Sequence, residues 1–206
     1  HTLAEELMPV LASALEGFAV VSIAGPGFLN FHLERSFFTT QLQESIVAKE
    51  TWGTNTSLAG KRYVVEYTDP NPFKEFHIGH LFTNSVGESV SRLIQFSGAE
   101  VTRACYQGDV GMHVAHALWG LQKLGASAAN LGEFDWSPKT LGKAYALGAK
   151  AYKEDELAQT AIKALNKKIY ERSDEEVNVL YDKGRAVSLA YFESIYGTLG
   201  TNFDEY

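Results

Sequence analysis

The sequence predicts an α/β protein: the opening half of a doubly wound parallel sheet, with a small α+β unit ahead of it and helices behind it. Three observations predict this. From Lys61 onward, strand and helix patterns alternate twice, as they do where crossover helices join parallel strands. Beyond Gly132 only helical periodicity remains. Ahead of the polar stretch from Trp52 to Gly60, the pattern is helix, hairpin, helix.

Taken in order, Leu3, Leu7, Val10, Leu11 and Leu15 recur at helical spacing, which predicts an amphipathic helix from Thr2 to Glu16 despite Pro9, with Gly17 as its stop. Strand-like runs at 18–24 and 28–33 flank Gly25-Pro26-Gly27, which carries turn chemistry, so the two runs are expected to pair as a hairpin. Ser36 is the expected cap of a helix reaching about Lys49. The run from Arg62 to Tyr67 reads as a buried parallel strand. A loop from Thr68 to Phe76 follows, then a helix from Gly79 to Phe96 closed by Gly98, and a second strand from Glu100 to Tyr106. Gly108 to Gly111 turns into another helix ending near Leu124. In the helical remainder, Ser173 with Glu176 fits a capping box. The expected domains are 1–55, 61–132 and 133–206. Two strands are too few for a complete open sheet, and the chain runs from His1 to Tyr206, inside an acidic, aromatic stretch, so a piece of a longer protein is expected.

Composition narrows the function. The 206 residues are 45% hydrophobic and 21% charged, which excludes a disordered chain. A formal charge of -7 excludes a global basic field, so any RNA contact must use a local patch. The single cysteine, Cys105, forms no internal disulfide or Cys-rich metal site, and a reducing compartment, the cytoplasm, is expected. No apolar run is long enough for a membrane span.

The sharpest feature is His77-Ile78-Gly79-His80, where the loop after the first strand enters its helix. A helix N-terminus offers unpaired N–H groups and the positive end of the macrodipole, so two imidazoles there stand beside a ready phosphate site. Gly79 would let a flat base approach the backbone without meeting a Cβ. A purely structural reading of the same residues has His77 capping the turn and His80 packing as a half-buried ring.

The run VVEYTDPNPFKEFHIGHL, which begins at Val64, resembles the signature region of class I aminoacyl-tRNA synthetases, and specifically of arginyl-tRNA synthetases. Three further segments share the resemblance: GPGFLNFHL from Gly25, YQGDVGMH from Tyr106, and FESIYGTLGTNFDEY at the C-terminus. The resemblance implies the N-terminal half of a Rossmann-like catalytic domain with a helical insertion, preceded by a small α+β tRNA-contacting domain. It implies ATP with Mg²⁺, L-arginine and tRNA(Arg) as partners of a monomer. It places His77, Gly79 and His80 at ATP and Glu66, Asn71 and His77 around arginine. Lys74, in the same loop, either meets a phosphate or is merely solvated. Asp109 matches the acid of the family's Gly-Asp-x-Gly segment, and equally suits the N-cap of the following helix.

Several positions depart from that pattern. Asp69 stands where a serine is common, and its role, at arginine or at a metal, is left open; no dedicated metal site is expected. Phe82 replaces an arginine, Glu88 an aspartate and His113 a glutamine. The family's Lys-Met-Ser-Lys-Ser type loop has no counterpart, so the chain alone is expected to be inactive. Two alternatives are another H-x-G-H adenylyl-transfer enzyme and a non-catalytic tRNA-binding module.

Overall fold

The structure, a computed structural model, describes residues 1–206 and separates into two compact units, His1–Thr54 and Asn55–Tyr206. The first unit contains helix α1 (Thr2–Ala14), strands β1 (Ala19–Ala24) and β2 (Phe28–Leu33), and helix α2 (Arg35–Ala48). The strands pair antiparallel from Ala24↔Phe28 to Ala19↔Leu33, so the turn falls on Gly25 to Gly27. Helix α1 runs through Pro9. Its apolar stripe is only partly used: Leu3 and Val10 are 68% and 65% exposed, and the unit buries only Ala4, Ala19 and Val21. One hairpin is too narrow to cover the whole stripe. Ser36 is not the cap of α2. Glu34 holds that place with extended backbone, and the Ser36 hydroxyl donates back to it at 3.4 Å.

In the second unit, β3 (Arg62–Glu66) and β4 (Glu100–Ala104) pair in parallel, in register from Arg62↔Glu100 to Glu66↔Ala104, with α3 (Ile78–Phe96) as the crossover between them. β4 stops two residues short of Tyr106. The chain there leaves its partner, because the Cys105 amide donates to Glu205 O at 3.0 Å and the Tyr106 amide to Asp69 Oδ1 at 2.8 Å. Through Ala104↔Glu205 the C-terminal segment joins the far edge of β4.

β3 is not buried on both faces as its composition suggests. Val64 is 74% exposed, whereas Tyr67 is buried with Cys105, Phe192, Tyr196 and Phe203 in a core joining the sheet to the last helix. One crossover helix covers one face of a pleated sheet, so alternate residues of β3 remain bare.

The larger core lies among α4 (Met112–Lys123), α5 (Pro138–Glu154), α6 (Glu156–Glu171) and α7 (Glu175–Leu199), and includes Leu118, Leu121, Leu141, Ile162 and Leu180. Residues on both sides of Gly132 share it. α4 and α5 meet at glycines: a Cβ on Gly120 would lie 1.9 Å from Ala144 O, and one on Gly148 would lie 2.0 Å from His116 O. The cap of α7 is Asp174, which accepts from Val177 N at 3.1 Å and from Lys168 Nζ at 2.7 Å, and not Ser173. Asp174 offers an acceptor oxygen together with a charge suited to the helix N-terminus. No helix is long and apolar enough to cross a membrane.

Candidate active site

The site is built around the N-terminus of α3. His77 is its N-cap, with extended backbone, and its Nδ1 accepts from Gly79 N at 3.1 Å. His80 returns the favour: its Nδ1 accepts from His77 N at 3.3 Å. The two rings therefore stack, with centroids 3.7 Å apart and planes 14° from parallel. Since both Nδ1 atoms accept, the hydrogen bonds assign the proton of each neutral ring to Nε2, leaving one N–H donor on each ring at a helix N-terminus. Burial, then the neighbouring His77, then the Lys74 ammonium hold the pKa of His80 down at about 4, so it is a neutral donor at pH 7. The structural reading and the functional one thus use different atoms of the same two residues. Capping uses Nδ1, and Nε2 is left over.

The loop between β3 and α3 is tightly held. Thr68, Asp69 and Phe73 have φ of +80°, +47° and +66°, values that non-glycine residues adopt only when their surroundings compel them. Thr68 Oγ1 accepts from Asn84 Nδ2 at 2.9 Å, and Asn84 Oδ1 accepts from Thr201 at 2.9 Å. Phe73 is fully buried, its amide donates to Ser188 Oγ at 2.9 Å, and its ring fills the space where a Cβ of Gly184 would stand.

The structure brings the sequence-predicted residues into three adjoining groups. His77 and His80 form the stacked pair. Asn71 lies against Gly108, whose carbonyl accepts from His113 Nε2 at 2.6 Å. Glu66 and Asp69 line a cavity of about 280 Å³ with Phe82 and Thr83 of α3. No hydrogen bond joins Glu66 to Asn71 or His77. The Lys74 ammonium disfavours the imidazolium forms of His80 and His113, one in each of the first two groups, and of His116.

Two expectations change. Lys74 is not a freely solvated lysine: it is half-buried, with Nζ 4.3 Å from the centroid of the Tyr145 ring. Asp109 is not a helix cap. Gly111 occupies that position with φ +127°, and Asp109 accepts from Arg185 Nε at 2.7 Å.

Other contributors escape a reading by motif. Ser188 and Arg185 of α7 hold the two loops from more than 70 residues away in sequence. Beneath the site, Glu88 accepts from Tyr67 Oη, Arg92 Nε at 2.7 Å and Arg103 Nε at 3.1 Å, tying α3 to both strands. Glu88 is buried on the face of α3 that also carries Asn84, Gly87 and Ser91, opposite the exposed Phe82, Val86 and Leu93, so the apolar periodicity of the helix gave no signal for that network. His116 lies among Tyr145 and Tyr152 with neither ring nitrogen partnered by protein. No group of three or more His, Cys, Asp or Glu side chains is gathered to hold a metal.

Comparison with known proteins supplies the frame for this geometry. The family described as tRNA synthetases class I (R), catalytic domain, matches residues 41–203. An arginine–tRNA ligase of Oenococcus oeni is 32% identical over 192 residues, 91% of this chain and 32% of that protein. One of Clostridium botulinum is 32% identical over 205 residues, 99% of this chain and 35% of that protein. The chain thus spans about a third of the length of the curated relatives it matches. Among solved structures, the Thermus thermophilus arginyl-tRNA synthetase superposes with a TM-score of 0.57 at 22% identity, covering 98% of this chain and 33% of that one. The Plasmodium falciparum enzyme gives 0.53 at 23% identity, covering 90% and 32%. At those identities the likeness establishes the fold, a class I synthetase catalytic fold.

Proposed function

The chain belongs to the family of class I tRNA synthetases for arginine, and from that premise we propose that the protein activates L-arginine with ATP and transfers it to tRNA(Arg). The observation that carries this reading is the stacked His77–His80 pair at the N-terminus of α3.

In the first step an arginine carboxylate oxygen attacks the α-phosphorus of ATP, and the bond to the bridging oxygen of pyrophosphate breaks. In the second, a hydroxyl of the terminal ribose of the tRNA attacks the carbonyl carbon of arginyl-adenylate and AMP leaves. Little covalent chemistry falls to the protein; its task is alignment and charge stabilisation. The Nε2–H groups of His77 and His80 donate to phosphate oxygens as negative charge grows on them, assisted by the helix dipole. Gly79 leaves room for adenine. Lys74 supplies a positive charge near the same place. Glu66 pairs with a cationic group of arginine, while the Asn71 amide both donates and accepts, with His77 completing the amino-acid side. Mg²⁺ would enter with the ATP substrate, as the family resemblance implies.

Residues 1–55 serve as the tRNA-contacting domain and residues 133–206 as a helical insertion returning toward the sheet, in a protein working in the cytoplasm as a monomer. The test is pyrophosphate exchange into ATP by the full-length protein with tRNA(Arg) present, because the family resemblance implies that bound tRNA completes the arginine site, and with each amino acid supplied in turn. Exchange dependent on arginine is expected. Exchange driven by a different amino acid would overturn the assignment.

A further inference from the structure

Asp69 is the position where this chain puts a carboxylate beside a site that has to accept a triphosphate, and its surroundings give that carboxylate a use. The two loops at the carboxyl ends of β3 and β4 run side by side. Asp69 Oδ1 accepts from the Tyr106 amide at 2.8 Å, 37 residues apart in sequence. Two residues further along each loop, Asn71 Oδ1 lies only 2.4 Å from where a Cβ of Gly108 would stand. The hydrogen bond and the contact therefore share one register. Gly108 in turn accepts from His113 Nε2.

The backbone is shaped to present this carboxylate. Thr68 and Asp69 are successive residues with positive φ, and the Thr68–Asn84–Thr201 hydrogen bonds hold the first of them. Aspartate tolerates the left-handed region better than most side chains. Tyr106 follows the point where β4 has lost its ladder partner, so its amide needs an acceptor from outside the sheet.

We propose that Asp69 is a positioning residue: by accepting the Tyr106 amide it locks the register of the two loops and so places Asn71 against Gly108 and beside His113. What it contributes is an acceptor oxygen at a fixed place. Its negative charge is not used on substrate or metal. This rests on the functional reading above only where activity is the readout.

The experiment compares Asp69→Asn and Asp69→Ala. Asparagine keeps the acceptor oxygen and removes the charge. Amide exchange at Tyr106 and the titration of His80, both followed by NMR in the 206-residue chain, report the loops directly. Arginine-dependent pyrophosphate exchange in the full-length protein, with tRNA(Arg) present, reports the site. Asp69→Asn is expected to match the unsubstituted protein in all three. Asp69→Ala is expected to speed Tyr106 amide exchange by about tenfold or more, to shift the His80 titration, and to lower kcat/KM for arginine. If Asp69→Asn loses arginine activity while the Tyr106 amide stays protected, the charge contacts substrate and the proposal is overturned. Unchanged Tyr106 exchange in Asp69→Ala would also overturn it. If Asp69→Ala does not fold, the isosteric asparagine variant still decides between acceptor and charge. An unsubstituted protein with no arginine-dependent exchange would defeat the functional reading and leave the two NMR measurements to decide the role of Asp69.

Discussion

His80 is the residue on which structure and chemistry meet most closely, because its two ring nitrogens have separate employments. Nδ1 accepts the His77 amide and Nε2 is free to donate. Replacing His80 with Ala is expected to slow arginine-dependent pyrophosphate exchange in the full-length protein by about 10²-fold or more, through lost transition-state stabilisation. The melting temperature should fall by only about 2–4 °C, the effect of one lost capping bond. Unchanged activity in the folded variant would return His80 to a purely structural role. The same residue predicts a pH dependence. The pKa of His80 is held at about 4, and those of His113 and His116 are also lowered, in each case by burial first. An unfolded histidine takes up its proton near pH 6.5, so below that pH the unfolded chain binds protons that the fold resists. The contribution to stability is complete above pH 6.5 and is lost as pH falls from 6.5 toward 4. A melting series should therefore be level from pH 8 to 7 and decline through that window. A decline confined to below about pH 4.5 would assign acid sensitivity to carboxylates such as Glu88 alone. The H-x-G-H box and its place at the start of α3 were legible in the sequence. The partners that hold the loops around it were not, since Tyr145, Arg185 and Ser188 reach the site only through the fold.

At the scale of elements, α7 is the brace of the site. Ser188 takes the buried Phe73 amide, Gly184 makes room for the Phe73 ring, and Arg185 holds Asp109. Ser188→Ala would leave the Phe73 amide without its acceptor, and urea unfolding should register a loss of about 1–3 kcal/mol. The α4–α5 crossing depends instead on missing atoms. Gly148→Ala puts a methyl 2.0 Å from His116 O, so the helices must separate, at about 1–3 kcal/mol by the same measurement. Neutral behaviour of that variant would mean the crossing has slack that the structure does not show. Most elements were legible from periodicity: the hairpin, β3, α3, β4 and the helical remainder all form where the spacing places them. Caps were legible less well. Ser36 and Ser173 have the right chemistry, yet Glu34 and Asp174 are the residues whose backbone lies at the boundary. Local composition names several candidate caps, and the path of the chain selects one.

For the molecule as a whole, the separation at Thr54 predicts that residues 55–206 fold without the first unit. Calorimetry of that segment should reproduce the main unfolding transition of the 206-residue chain, and a segment without a cooperative transition would make the two units interdependent. We also expect the 206-residue chain not to arginylate tRNA by itself, because it spans about a third of its relatives' length and half of a preorganised site forfeits more than half of the rate. Substantial arginyl-tRNA formation by this chain alone would refute that expectation.

By itself the sequence determined the order of strands and helices, the hairpin, and the place of the histidine pair, because each depends on neighbours within a few residues: side-chain periodicity, turn chemistry, and a loop meeting a helix. Only the tertiary structure decided that β3 has one bare face, that Asp69 reaches Tyr106, that Asp109 turns to Arg185 and that Lys74 lies on Tyr145. The first two depend on the pairing of β3 with β4 under a single crossover helix, the last two on the packing of α5 and α7 against the loops, and no spacing along the chain encodes those meetings.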